Sequence, residues 1–232
     1  MVVGDRDGLR RTVVDAVVEL WDGVRAVRDP ARCRAQLMAA GRTLFAVYGY
    51  ARTSVEDLCA AAHVEVRDFH REFASREALL TDLYDEVAMA GMQASQAELA
   101  AEGMDTCPTE ERVRRLFDAY VRAVTRDPQA ARVAFVEVLG VSRAMDEHLT
   151  MWRSVWVEFL TAESERARRR GHGVDGDLEV VVKVLTRSVD ELLAHHGRRP
   201  RQVPPAWLTS EFTRLTMAMI GPAEGAAPRA SD

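Results

Sequence analysis

Apolar residues recur at helical spacing along nearly the whole 232-residue sequence, and the alternating apolar–polar runs of a half-buried strand are almost absent. Over residues 9–27 an amphipathic stripe is made by Leu9, Val13, Val14, Val17, Val18, Leu20, Trp21, Val24 and Val27. Residues 109–126 repeat the pattern with Val113, Leu116, Phe117, Tyr120, Val121 and Val124. Punctuation falls where helices need it. Asp29-Pro30 and Asp127-Pro128 read as an N-cap followed by proline at the first helical position, the second opening a helix that ends near Gly140. Ser75 and Ser142 cap two long helices, the first spanning 75–102, and Gly49 stops the helix before them. The helix begun at Ser142 closes on Arg168, Arg169, Arg170 and Gly171, with cations at the negative end of its dipole. The pattern predicts an all-α protein of nine or ten helices. It has a loop at 171–177, a helix at 178–196 broken by Gly197 and the proline-rich 200–205, a last helix at 206–220 and a disordered tail at 222–232.

Hydrophobic residues make up 47% and charged residues 29% of the chain, which excludes disorder over most of its length. No apolar run reaches the roughly 18 residues of a membrane span, so no membrane partner is expected. The start, MVVGDRDGLRR, has acids and a glycine where a signal peptide is apolar, and a cytoplasmic protein is expected. Cys33, Cys59 and Cys107 are an odd number at unrelated spacings, with neither a disulfide framework nor a metal knuckle among them. A net charge of −5 argues against wholesale coating of nucleic acid, yet leaves room for a small DNA-reading face, since the local field decides. All but one of the 31 basic residues are arginine, Lys183 being the exception, and coding bias accounts for this.

The informative segment is 52–80, RTSVEDLCAAAHVEVRDFHREFASREALL. Thr53-Ser54-Val55-Glu56 and Ser54-Val55-Glu56-Asp57 both fit a capping box, so a helix starts here and buries Val55, Leu58 and Ala62. After the joint His63-Val64 a second short helix follows. Two short helices on a tight turn are the helix-turn-helix pattern, whose second helix enters the major groove. At about 100° per residue, Val66, Phe69 and Phe73 share one sector and are expected in the core. Arg67, His70 and Arg71 form the neighbouring cationic strip, and Glu65, Asp68 and Glu72 the remaining one. Arginine beside an apolar anchor suits phosphate and guanine contact, though a solvated helix of mixed charge accounts for the same residues.

The stretch from Arg32 to Leu80 resembles the N-terminal domain of the tetracycline-repressor (TetR) family of transcriptional regulators. The likeness is carried by Ala39-Ala40, Leu44-Phe45, Gly49-Tyr50, Thr53-Ser54-Val55, Asp57-Leu58, Ala61-Ala62, Val64, Phe69, Phe73 and Ser75-Arg76-Glu77-Ala78-Leu79-Leu80. It implies a homodimeric repressor that binds a near-palindromic double-stranded operator and is released by a small apolar effector of unknown identity. The implied DNA-contacting set is Arg52, Thr53, Ser54, Glu65, Val66, Arg67, His70, Arg71 and Arg76. There are departures. His63 stands at the family's turn glycine, Glu65 at a small hydroxyl, Asp68 at a common threonine, His70 at a phosphate-contacting tyrosine and Glu72 at a histidine. Acids on or beside the DNA face weaken phosphate affinity. They motivate a second reading, a degenerate member that senses a ligand or binds a protein without specific DNA binding.

The expected organisation is a helical extension at 1–30, the helix-turn-helix domain at 31–80 with its motif at 54–73, and a regulatory and dimerisation domain at 81–221. The extension's arginines and acids nearly cancel, so its valine stripe is expected to pack on the dimer or a partner, Arg10 and Arg11 alone reaching phosphate. By the resemblance, Phe117, Tyr120, Phe135, Trp152, Trp156 and Phe159 are pocket candidates, with His148 and Arg153 as polar groups; plain core packing is the competing account. Leu178, Val182, Leu185 and Val189, with Leu208, Phe212, Leu215 and Met219, are expected to divide between core and dimer partner. Gly171-His172-Gly173-Val174-Asp175-Gly176 matches GxGxxG but lacks the preceding strand that a dinucleotide site requires. His195 and His196 are adjacent, so on a helix they point apart, and a C-terminal position near the dipole explains them. No catalytic set, metal or cofactor is expected, and no enzyme.

Overall fold

The computed structural model describes residues 30–174 and 177–222. The extension's stripe at 9–27, with Arg10 and Arg11, and the tail beyond 222 lie outside the described residues. Helices dominate. α1 (Pro30–Tyr48) is followed by a 3₁₀ turn (Tyr50–Arg52), α2 (Val55–Ala62), α3 (Val66–Glu72) and α4 (Arg76–Leu99). Then come α5 (Thr109–Thr125), α6 (Pro128–Arg132), a π-helical turn (Val133–Glu137), α7 (Arg143–Arg169), α8 (Leu178–Arg198) and α9 (Pro205–Met219).

Local chemistry sets the helix starts. Ser54 closes a reciprocal capping box with Asp57, and Ser75 and Ser142 accept from Ala78 N and Met145 N. Asp127 accepts from Gln129 N with Pro128 in the first turn. The packing follows two apolar clusters. One joins α1–α4 to the π-turn and α7 through Leu37, Phe45, Leu58, Phe69, Leu79, Leu80, Val133, Met145 and Leu149. The other joins α4, α5, α8 and α9 through Val87, Phe117, Val121, Val124, Leu185, Leu193, Leu208 and Phe212. At the α4–α5 crossing, a Cβ on Gly91 would stand 2.7 Å from the Tyr120 ring and 2.8 Å from Val124, so the approach requires glycine.

Several expectations are corrected. Residues 172–174 are not loop: His172–Val174 pairs antiparallel with Ile220–Pro222, so the last helix ends at Met219. A three-residue ribbon carries too few alternating positions to leave a sequence signal. This strand lies inside the GxGxxG match rather than before it. The helix expected to run towards Gly140 instead changes to π-geometry at Val133. Gly197 does not end α8, which continues to Arg198. A Cβ there would stand 3.0 Å from Val136, so glycine lets α8 lie against the π-turn.

The dimer expectation changes most. Val182, Leu185, Val189, Leu208 and Phe212 are buried inside the protomer and offer nothing to a partner, while Leu178, Leu215 and Met219 are half-buried. The exposed apolar residues of α8 are Val180 and Val184. Both faces of the helix are apolar, and periodicity alone does not say which one the protomer's own core takes.

Candidate functional site

The turn between α2 and α3 is set by one residue. His63 adopts a left-handed conformation (φ 55°, ψ 42°), and its backbone N–H donates to Ala60 O and Cys59 O. Phe69 and Phe73 then enter the domain core. Val66, expected beside them, is instead 40% exposed, and Asp68 is the residue turned inward at 5%. The burial phase of α3 is therefore rotated from the apolar guess. The outer face carries Val66, Arg67, His70 and Arg71 together, and Asp68, one of the three acids expected on or beside that face, is absent from it. Glu65 remains outside, with its carboxylate 2.9 Å from Arg67 Nε, and Arg71 Nη1 lies 3.5 Å from Asp68 Oδ1. The Arg67–Glu65 pair, exposed on both sides, is weak and opens readily when a phosphate competes, whereas the exposed Arg71 leans on a buried carboxylate.

Other predicted DNA contacts have structural tasks. Thr53 is buried and donates its hydroxyl to Gly49 O at 2.9 Å, so it has no hydroxyl to offer. The Ser54 hydroxyl donates to Asp57 Oδ2 while accepting from Asp57 N. The backbone and hydroxyl of Ser54 hold the Asp57 carboxyl below the ordinary aspartate value. Arg76 lies over the Tyr50 ring at 4.3 Å and donates to Thr53 O, tying the start of α4 to the loop before α2. Arg52 stays exposed, its Nε donating to Tyr48 O at 2.8 Å.

A second set of residues surrounds cavities in the body. One narrow cavity is lined by Leu116, Phe117, Tyr120, Trp156, Leu160 and Val189, with Ser95, Thr186, Arg153 and Asp190 as polar wall. Of the expected set, Phe117, Tyr120, Arg153 and Trp156 meet there. Phe135 lines a neighbouring cavity that shares Arg153 and Asp190. His148 and Trp152 line neither of these. His148 Nε2 lies 2.6 Å from Asp85 Oδ1, and Trp152 Nε1 donates to the same oxygen at 2.7 Å, which makes them an anchor between α4 and α7. Phe159 packs edge-on behind Trp156, with ring centroids 5.6 Å apart.

Sequence reading missed Asp190. Arg153 Nε donates to its Oδ2 at 2.8 Å, and burial nevertheless pushes its carboxyl above the ordinary aspartate value. Burial also raises the Tyr84 and Tyr120 phenols, which stay neutral. Asp85 and Asp190 interrupt apolar stripes, and that interruption was the available signal.

The head and body touch through Glu137. Tyr50 N donates to Glu137 Oε2 at 3.0 Å, and Arg132 Nη2 lies 3.0 Å from the other oxygen. Ser142 donates to Glu77 at 2.5 Å beside it. Elsewhere, His196 is buried with Nδ1 2.6 Å from Val203 O, and no cluster of three metal-ligating side chains occurs among the described residues. No described helix is long and apolar enough to cross a membrane.

Residues 37–83 match the model of bacterial regulatory proteins of the tetR family. The head of the chain is thus similar to the N-terminal domain of tetR-family regulators. The chain is 34% identical over 125 residues to the HTH-type transcriptional regulator TcmR of Streptomyces glaucescens, covering 53% of this chain and 48% of TcmR. The chain thus spans about half the length of that curated relative. A tetR-family regulatory protein from Rhodococcus RHA1 superposes with TM-score 0.66 at 19% identity, over 83% of this chain and 98% of that one. The transcriptional regulator FadR of Bacillus subtilis, solved in complex with stearoyl-CoA, superposes with TM-score 0.65 at 13% identity, over 78% of this chain and 96% of that one. At such identities these two structures speak to the tetR-type fold alone.

Proposed function

We propose that this chain is a DNA-binding transcriptional regulator of the tetR family, a homodimeric repressor released when a small apolar molecule enters the body. The carrying observation is the outer face of α3. Val66, Arg67, His70 and Arg71 are exposed together on a helix fixed by two buried phenylalanines, the arrangement that major-groove contact requires. TcmR, named as a transcriptional regulator, supports the same reading. The first cavity, apolar with an ion pair at one side, suits an effector. α4 runs from the head into the cavity walls, contributing Tyr84 and Ser95, and Glu137 holds a further contact between head and body. An effector that prefers a different α4 angle shifts the head separation; without that preference it does nothing. For the dimer, Val180, Val184, Leu192 and Leu215 line an open groove with Lys183, Arg187 and Glu191, a mixed face able to pair with its own copy about a two-fold axis.

A second reading is favoured by one observation. Arg67 is paired with Glu65 and Arg71 with Asp68, which lowers the free cationic charge and suits a member that binds a protein or ligand without specific DNA binding. A band-shift with the DNA flanking its own gene separates the two. Specific retardation supports the repressor, and its absence at low salt from a folded dimer supports the second reading. A monomeric mass in light scattering at micromolar concentration sinks the dimer.

A further inference from the structure

Next to the first cavity lies a second narrow one, and the two share Leu116, Phe117 and Leu160 as walls. Their chemistry differs. The first is walled by Phe117, Tyr120 and Trp156, and its Ser95 and Thr186 hydroxyls are turned back into their own helices, Ser95 donating to Gly91 O and Thr186 to Val182 O. The second is lined by Arg112, Arg166 and Arg170 against a single lining carboxylate, Glu163.

The ion pairs leave a surplus. Arg112 is buried, with Nε and Nη2 at 2.9 and 2.8 Å from Glu163 Oε2 and Nη1 donating to Met104 O. Arg166 pairs with Asp105, which reaches in from the rim. Arg170 donates to the Cys107 carbonyl at 3.1 Å and pairs with no carboxylate among the described residues. Glu110 and His172 border an adjoining depression rather than this cavity. Among the described residues three guanidinium groups therefore face two carboxylates, and the third, on the exposed Arg170 at the cavity edge, has the Cys107 carbonyl alone.

Thr216 is the independent observation. Thr209 and Thr213, earlier on α9, donate to backbone carbonyls of their own helix. Thr216, 7% exposed and on the wall of the second cavity, has a buried Oγ1 with no hydrogen-bond partner. A buried hydroxyl left unpaired is costly, so the position points to a polar group that arrives from outside.

We propose that the second cavity seats the anionic end of an elongated effector whose apolar body occupies the first, the ligand class being an amphipathic monocarboxylate. The inference rests on the reading of the first cavity as the effector site. The carboxylate is held by Arg170 and by the Thr216 hydroxyl, and it balances the surplus charge, while Arg112 stays committed to Glu163. Burying the body between Phe117, Tyr120 and Trp156 supplies affinity, and the head fixes which end enters.

The test uses 11-(dansylamino)undecanoic acid and its methyl ester, titrated by dansyl fluorescence into the full chain. The acid is expected to bind more tightly than the ester. Arg170→Ala and Thr216→Val, each confirmed folded by circular dichroism, each weaken the acid about tenfold and leave the ester unchanged, as loss of a charge-assisted hydrogen bond implies. Trp156→Ala weakens both probes alike. If acid and ester bind equally to wild type and to both head variants, the inference is overturned, while a shared loss in Trp156→Ala leaves the first-cavity reading standing. If neither probe binds, both readings are overturned together.

Discussion

His63 holds the α2–α3 turn in a conformation that costs most residues energy, and replacing it gives a prediction with a worked sign. A left-handed backbone costs a residue with a Cβ about 1–2 kcal/mol, histidine lying near the low end. The His63 side chain is exposed, and the turn's hydrogen bonds to Ala60 O and Cys59 O come from the backbone, so His63→Gly removes strain without deleting a contact. Glycine's greater freedom in the unfolded chain takes back about 0.5–1 kcal/mol. The net is a stabilisation of up to about 1 kcal/mol. His63→Val moves the other way, because a β-branched residue is a steric outlier there, and the expected loss is about 1–2 kcal/mol. Urea unfolding followed by circular dichroism measures both. Thermal midpoints should separate the two variants by several degrees, at about 2–4 °C per kcal/mol for a chain of this size. If glycine destabilises by more than about 1 kcal/mol, or valine is tolerated as well as histidine, the turn does not depend on this conformation and the account of α3's placement fails.

Two further outcomes follow from the same geometry. Glu137→Ala strips a charged acceptor from Tyr50 N and a partner from Arg132, and should lower stability by about 1–2 kcal/mol in urea unfolding. An unchanged midpoint would show that the Glu137 hydrogen bond and ion pair carry no net energy. Asp57 sits below its ordinary value in the fold because Ser54 donates to it, so its contribution is present above the ordinary aspartate value and is lost as pH falls through the depressed one. The stability difference between wild type and Asp57→Ala, followed by thermal melts from neutral pH into acid, should therefore shrink only in acid; a difference independent of pH contradicts the capping-box account.

Much of the head was legible because its signals are local. Ser54 with Asp57, Ser75, Ser142 and Asp127-Pro128 announce helix starts through side chains that bond amides two or three residues on, and each does so in the structure. What failed depended on a neighbouring element. Val66 is apolar yet faces out while Asp68 faces in, since the phase of α3 is set by where Phe69 and Phe73 find space. Thr53 and Arg76 are polar types suited to DNA, but the loop at Gly49–Tyr50 uses both. In the body, Trp152 and His148 were chosen for residue type, and the partner that removes them from the cavity, Asp85, lies more than sixty residues away in sequence. α8 has apolar residues on two faces, so its stripe alone did not reveal that Val180 and Val184, rather than Val182 and Val189, remain exposed. Charge interrupting an apolar stripe, as at Asp190, was readable and went unread.

The central claim is that α3's outer face reads DNA, and the salt dependence of binding tests it most directly. Fluorescence anisotropy with a labelled duplex from the region flanking its own gene, at a series of salt concentrations, gives the slope of log affinity against log salt for wild type, Arg67→Ala and Arg71→Ala. The account predicts steep, specific binding by wild type, with each substitution weakening affinity and reducing the slope by about one where the arginine meets phosphate. Binding whose slope and affinity are the same in all three proteins would contradict it.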